Sequence, residues 1–189
     1  MRSSLFHVCL TRLLLFSFLA GCGHHQNGPA TGGTPDQYQH IDWSMLTPPK
    51  WDAMALLKGI DLNKLQDSDP RAVEALKSIR ESWVNAPVVD EMNGKGVNLI
   101  GYVAPLDGDL EHVKEFLLVP YFGACIHTPP PPSNQIIHVH LMTPMSMMGW
   151  DAGVSVSGIL EINHSDTALG TAGYQMSADI VKQFKDTVD

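Results

Sequence analysis

From Val97 onward the apolar residues of this 189-residue chain change their period. Upstream they recur every three to four positions. Downstream they recur at every second position, the pattern of a strand whose successive side chains leave opposite faces. Val97, Leu99, Gly101 and Val103 share one face of a first strand. Phe116 to Pro120 is a second, more uniformly apolar one. Gln135 to Leu141 is a third, with Ile137, Val139 and Leu141 on one face and Ile136, His138 and His140 on the other. Val154, Val156, Gly158, Leu160 and Ile162 mark a fourth, alternating with serines. Tyr174, Met176, Ala178 and Ile180 mark a fifth. Leu106-Asp-Gly-Asp109 and the polar stretch Asn163 to Gly173 read as connections, and Met142 to Trp150 holds turn residues.

Five strands within about 85 residues, with helices before them, predict a mainly β fold. The reading is a small five-stranded OB-like antiparallel barrel, with an open α+β sheet as the alternative. Glycines inside strands one and four suit the bends of a tightly coiled sheet. The sequence holds no internal repeat.

The helical part lies at 41–90. Trp51 to Lys58, closed by Gly59, reads as a short helix. Asp69-Pro70 is a stronger start, an N-cap followed by proline at the first helical position. Ala72, Val73, Leu76, Ile79 and Trp83 then form an apolar stripe, ended by Asn85-Ala-Pro87. Trp83 reads as a packing anchor.

Residues 1–21 carry a targeting pattern: Arg2 and Arg12, then the apolar run Leu13 to Ala20, too short to span a membrane. Leu19-Ala-Gly-Cys22 follows and resembles the lipobox of bacterial lipoproteins. That resemblance implies a signal peptide at 1–21 and diacylation of Cys22, which would tie the protein to a membrane facing the periplasm. Gly23 stands where an aspartate would imply inner-membrane retention, so the outer membrane is expected. Residues 22–40 read as a flexible tether, rich in Gly, Pro, His, Gln and Thr. The globular domain is expected at 91–189.

Processing would remove two of the 12 basic residues and none of the 20 acidic ones, taking the net charge from −8 to −10. A field of that sign argues against binding nucleic acid or anionic lipid through the overall charge and tolerates cationic partners, metal ions included. Of three cysteines, Cys9 would be discarded and Cys22 acylated. Cys125 is left without an intramolecular disulfide partner in an oxidising compartment.

Cys125 and His127 stand two apart, before four consecutive prolines. On an extended segment they point to one side, about 6 to 7 Å apart. Thiolate and imidazole suit zinc or copper(I), and prolines 129–132 stiffen the loop. His138 and His140 share a face of the next strand and are candidate further ligands. The expected metal is zinc, with copper as the runner-up. Met142, Met145, Met147 and Met148 suit copper, or fill a gap over the end of the barrel. The alternative for Cys125 is a small buried hydrophobe. A thiol enzyme using Cys125 is disfavoured, because no Asp or Glu lies nearby in sequence to orient a base and no Cys-x-x-Cys is present.

Gly101-Tyr-Val-Ala-Pro-Leu106, Glu115 to Gln135 with its Gly-Ala-Cys-Ile-His-Thr-Pro-Pro-Pro-Pro core, and Val156-Ser-Gly158 resemble an uncharacterised family, a domain of unknown function found in Gram-negative periplasmic lipoproteins. The resemblance spans residues 90–181. Genes of that family often lie beside those of an ABC transporter of the macrolide-exporter type, in zinc-responsive clusters. It implies metal homeostasis or envelope transport as the setting. The family pattern falls on Cys125, His127, Pro129, Pro130, Asn134 and Gln135, and it does not cover His138, His140 or the methionines. The expectation is a lipid-anchored periplasmic protein that binds zinc and serves a transporter. A metal-free docking module of an envelope complex is the alternative.

Overall fold

The computed structural model describes residues 37–55, 58, 69–106, 110–147, 149 and 152–185. The predicted signal peptide, the expected acylation site Cys22 and residues 22–36 of the expected tether lie outside the described residues. The predicted helix at Trp51 is described in part, as turns closed by Ala55 N–H donating to the Asp52 carbonyl at 3.1 Å.

Six strands make one mixed sheet. They are β1 (Gln39–His40), β2 (Lys95–Pro105), β3 (Val113–Val119), β4 (Ile137–Met145), β5 (Ala152–Asp166) and β6 (Thr171–Lys185). The order is β1-β2-β3-β4-β6-β5, and β5 also pairs with β2. The five long strands therefore form a ring. Four of its five pairings are antiparallel, while β4 and β6 run parallel. The expectation of a wholly antiparallel sheet fails here for a topological reason. Successive strands alternate in direction, and an odd number cannot alternate all the way round a closed ring.

The alternation read from the sequence sorts the side chains. Val97, Leu99, Val103, Phe116, Leu118, Ile137, Val139, Val154, Val156, Leu160, Tyr174 and Met176 fill the interior. A second apolar cluster lies on the opposite face of β2, β3 and β4: Ala104, Leu117, Val119 and Ile136, covered by Ala124 and Cys125 of the loop between β3 and β4. Being buried on both faces is why β3 reads as an unbroken apolar run.

Two boundaries move. The polar stretch at 163–173 continues β5 and β6 and leaves a turn at 167–170, held by Thr167 N–H donating to the Gly170 carbonyl at 3.0 Å. β4 extends through Met145 where turn residues had been expected. Met142 points to solvent at 88% exposure while Met147 is in the core at 5%, so the methionine run does not gather on one surface. Met148 lies outside the described residues.

Helix α1 (Pro70–Val84) begins as expected, with Arg71 N–H donating to Asp69 Oδ1 at 2.9 Å and Pro70 in the first turn. Its apolar stripe is only half used. Ala72 and Ile79 are buried, whereas Val73 and Leu76 stay more than half exposed. The Trp83 indole N–H donates to the Ala53 carbonyl at 2.9 Å, which anchors the helix to the preceding segment.

Tyr174 joins the N-terminal segments to the ring. Its buried hydroxyl donates to the Leu46 carbonyl at 2.9 Å and accepts from Val89 N–H at 2.7 Å. Tyr174→Phe strands both backbone groups at about 1–3 kcal/mol each. The expected loss is about 2–4 kcal/mol in urea unfolding, with the slope unchanged.

Candidate metal centre

The outward face of β3 and β4 carries a group of three donors. Glu115 of β3 stands directly opposite His140 of β4, and Leu117 stands opposite His138. The two histidines are therefore neighbours on one face, and Glu115 reaches both. Glu115 Oε2 lies 3.3 Å from His138 Nε2 and 3.4 Å from His140 Nδ1. The imidazole rings lie 4.2 Å apart between centroids, tilted by 37°. One ligand atom from each residue falls within 4.8 Å of the others. Among the described residues this is the only such trio.

His138 is the most enclosed of the three. Burial pushes its pKa down, the neighbouring His140 adds to that, and Glu115 works the other way. The neutral imidazole this favours is the form that ligates a metal. Its Nδ1 meets the Ser165 hydroxyl at 3.1 Å, which fixes the ring and leaves Nε2 facing Glu115. An outer partner on the far nitrogen is the usual support of a metal-binding histidine. Two imidazoles and a carboxylate with open positions suit zinc. They suit copper(I) less, since it prefers sulfur.

The loop expected to hold the metal is built differently. It does not run extended. Gly123 sits at φ +80° and Cys125 at φ +67°. The Gly123 carbonyl accepts from the N–H groups of Ile126, His127 and Thr128 at 3.3, 2.8 and 3.1 Å. The coil separates the pair: Cys125 turns inward at 8% exposure, and His127 turns outward, edge-on to Phe122 at 6.3 Å. Same-side geometry belongs to an extended chain, and the positive φ at Cys125 removes it. The Cys125 thiol lies against Leu117, Ile136 and Ala172 in the outer cluster, and burial raises its pKa to about 11. Cys125 and His127 join no group of three donors among the described residues. At pH 8 iodoacetamide should label Cys125 at least about tenfold more slowly in the folded protein than in urea, because the thiolate is the reacting form; equal rates would contradict this environment.

The proline segment has a further role. Pro129 and Pro130 face Leu76, Arg80 and Trp83 of α1 across an apolar groove of about 590 Å³, with Tyr121 also on its wall. Asn134 and Gln135 turn inward and fasten the loop. Asn134 Nδ2 donates to the Pro87 carbonyl at 2.8 Å, and Gln135 Nε2 donates to the Trp43 carbonyl at 2.9 Å and to Thr47 Oγ1 at 2.8 Å.

Glu115 was missed in the sequence because it lies 23 residues before His138. The signal was there in the alternation: antiparallel pairing of the second and third strands would have brought their outward polar residues together.

The fold and this site define a small mainly β protein with a helix at its N-terminal side and a donor trio on one face. The chain belongs to the family described as protein of unknown function (DUF3299), whose model matches residues 43–183. It is similar to the crystal structure of a DUF3299 family protein from Pseudomonas aeruginosa PAO1, at 32% identity and a TM-score of 0.58, covering 78% of this chain and 97% of that one. No curated protein matches the chain.

Proposed function

We propose that the protein is a lipid-anchored periplasmic binding protein that holds a divalent transition metal, zinc first, at Glu115, His138 and His140, and that it serves an envelope ABC transport system. The observation that carries the metal reading is the convergence of three donor atoms, one per residue, within 4.8 Å. The lipobox pattern ending at Cys22 supports the anchor. The resemblance to lipoproteins encoded beside transporter genes supports the setting. The ring order of β2 to β6, five strands with β6 inserted between β4 and β5, supports an OB-like barrel as the scaffold.

Cobalt reports the ligand set. Cobalt(II) bound at this centre should give weak d–d absorption without the intense thiolate-to-metal band that a Cys125 ligand would produce. A strong thiolate band, lost in Cys125→Ser, would move the site to the loop. The thiol-enzyme alternative is disfavoured by a buried thiol held protonated at neutral pH.

A second reading is favoured by the groove beside Pro129 and Pro130. Its apolar wall and the Arg80 guanidinium suit an apolar protein segment carrying a carboxylate. The Ser133 hydroxyl on the same wall is buried without a hydrogen-bond partner among the described residues. Crosslinking from position 76 in whole cells should then recover a transporter component, and Arg80→Glu should abolish that recovery. Unchanged recovery would remove this reading.

A further inference from the structure

A second concave site lies away from the donor trio, on β1 and the outward faces of β2, β5 and β6. Its volume is about 230 Å³, and Tyr38, His40, Asn98, Ser155, Ser157 and Lys182 line it. The strand register builds it. Asn98 stands between His40 of β1 and Ser157 of β5, and Ser155 stands opposite Lys182 of β6.

The hydrogen bonds leave a surplus of donors. Asn98 Nδ2 donates to Ser155 Oγ at 2.7 Å and to Ser157 Oγ at 2.9 Å, with a longer contact to the Val156 carbonyl at 3.4 Å. Each serine oxygen thus accepts from Asn98 and keeps its own proton to give. Asn98 Oδ1 can only accept, so the His40 Nδ1 at 3.1 Å carries the hydrogen. Lys182 brings three more donors and has no acceptor among the described residues. Ser157 is 3% exposed, so its hydroxyl does not sit on open surface. The Tyr38 hydroxyl donates to Asp179, which engages the carboxylate beside the pocket.

Two serine hydroxyls and an ammonium thus line one pocket, with no carboxylate among its lining residues. We propose that this pocket is an oxyanion site, taking a carboxylate or phosphate group on Lys182, Ser155 and Ser157. It is independent of the metal reading, since it shares no residue with Glu115, His138 or His140.

The test is calorimetric titration of the purified full chain, in nonionic detergent, with inorganic phosphate, with acetate, and with mixed micelles of that detergent carrying phosphatidylglycerol set against micelles carrying phosphatidylcholine. Saturable binding that weakens at least tenfold in Lys182→Gln and again in Ser155→Ala is expected. A response to phosphate or acetate identifies a free oxyanion, and a response to phosphatidylglycerol alone identifies a lipid headgroup. No response in any arm overturns the proposal, as does a response that both variants leave unchanged. Urea unfolding of the two variants guards against loss of fold, which exposed Lys182 should not cause.

Discussion

Gly158→Ala is expected to cost about 3 kcal/mol or more, at the upper end of what overpacking does. A Cβ at this position would press into the Ser177 carbonyl oxygen of the paired strand and lie 3.0 Å from Ala178 Cα. Both obstacles are backbone and cannot rotate aside. Relief requires β5 and β6 to part at the point where their register already shifts, between Ser157 and Gly158. The β5–β6 pairing is the longest of the five seams of the ring, so local parting should spread. Urea unfolding followed by circular dichroism should show the midpoint falling sharply. Gly153→Ala is the comparison. The nearest atoms to its Cβ would be those of the Phe184 ring, a side chain near the end of β6. The cost there should be clearly smaller. Equal losses would mean that the close approach at Gly158 is not what holds the strands in register.

Much of the ring was legible before any coordinates. Period-two alternation located four of the five long strands, and the unbroken apolar run at 116–120 located β3, which is buried on both faces. The glycines at 101 and 158, read as bends of a coiled sheet, also sit at close backbone approaches: a Cβ at Gly101 would lie 2.6 Å from the Val119 carbonyl oxygen. The parallel pairing of β4 with β6 was not legible, since it follows from ring closure and not from any residue. The site was legible by half. His138 and His140 share a strand face by simple alternation, so their pairing could be read. Glu115 joins them only through the register of β3 on β4. Cys125 and His127 misled for the same local reason that made them conspicuous. Spacing of two implies a shared side only on an extended chain, and the turn at Gly123 with φ +67° at Cys125 is invisible in a spacing. The exposed Val73 and Leu76 show a related limit. The stripe on α1 was real, but the sequence could not say that part of it would face a groove.

The proposed metal centre carries the second large effect. His138→Ala should lower zinc affinity at least about 100-fold, equivalent to about 2.8 kcal/mol, because it removes the most enclosed of the three proposed ligands, the ring that Ser165 orients. Glu115→Gln should act in the same direction, since a neutral amide replaces the anionic donor that both histidines approach. Protons compete with the metal for imidazole, so affinity should weaken as pH falls. Cys125→Ser should leave affinity within about threefold, given a thiol packed among apolar side chains and held protonated.

The most direct measurement is the zinc content, by mass spectrometry, of the purified full chain after loading and dialysis, with wild type beside His138→Ala and Cys125→Ser. One zinc per chain in the wild type and in Cys125→Ser, with loss in His138→Ala, is the predicted result. Zinc retained in His138→Ala and lost in Cys125→Ser, or no zinc in any of the three, would contradict the assignment of the centre to Glu115, His138 and His140.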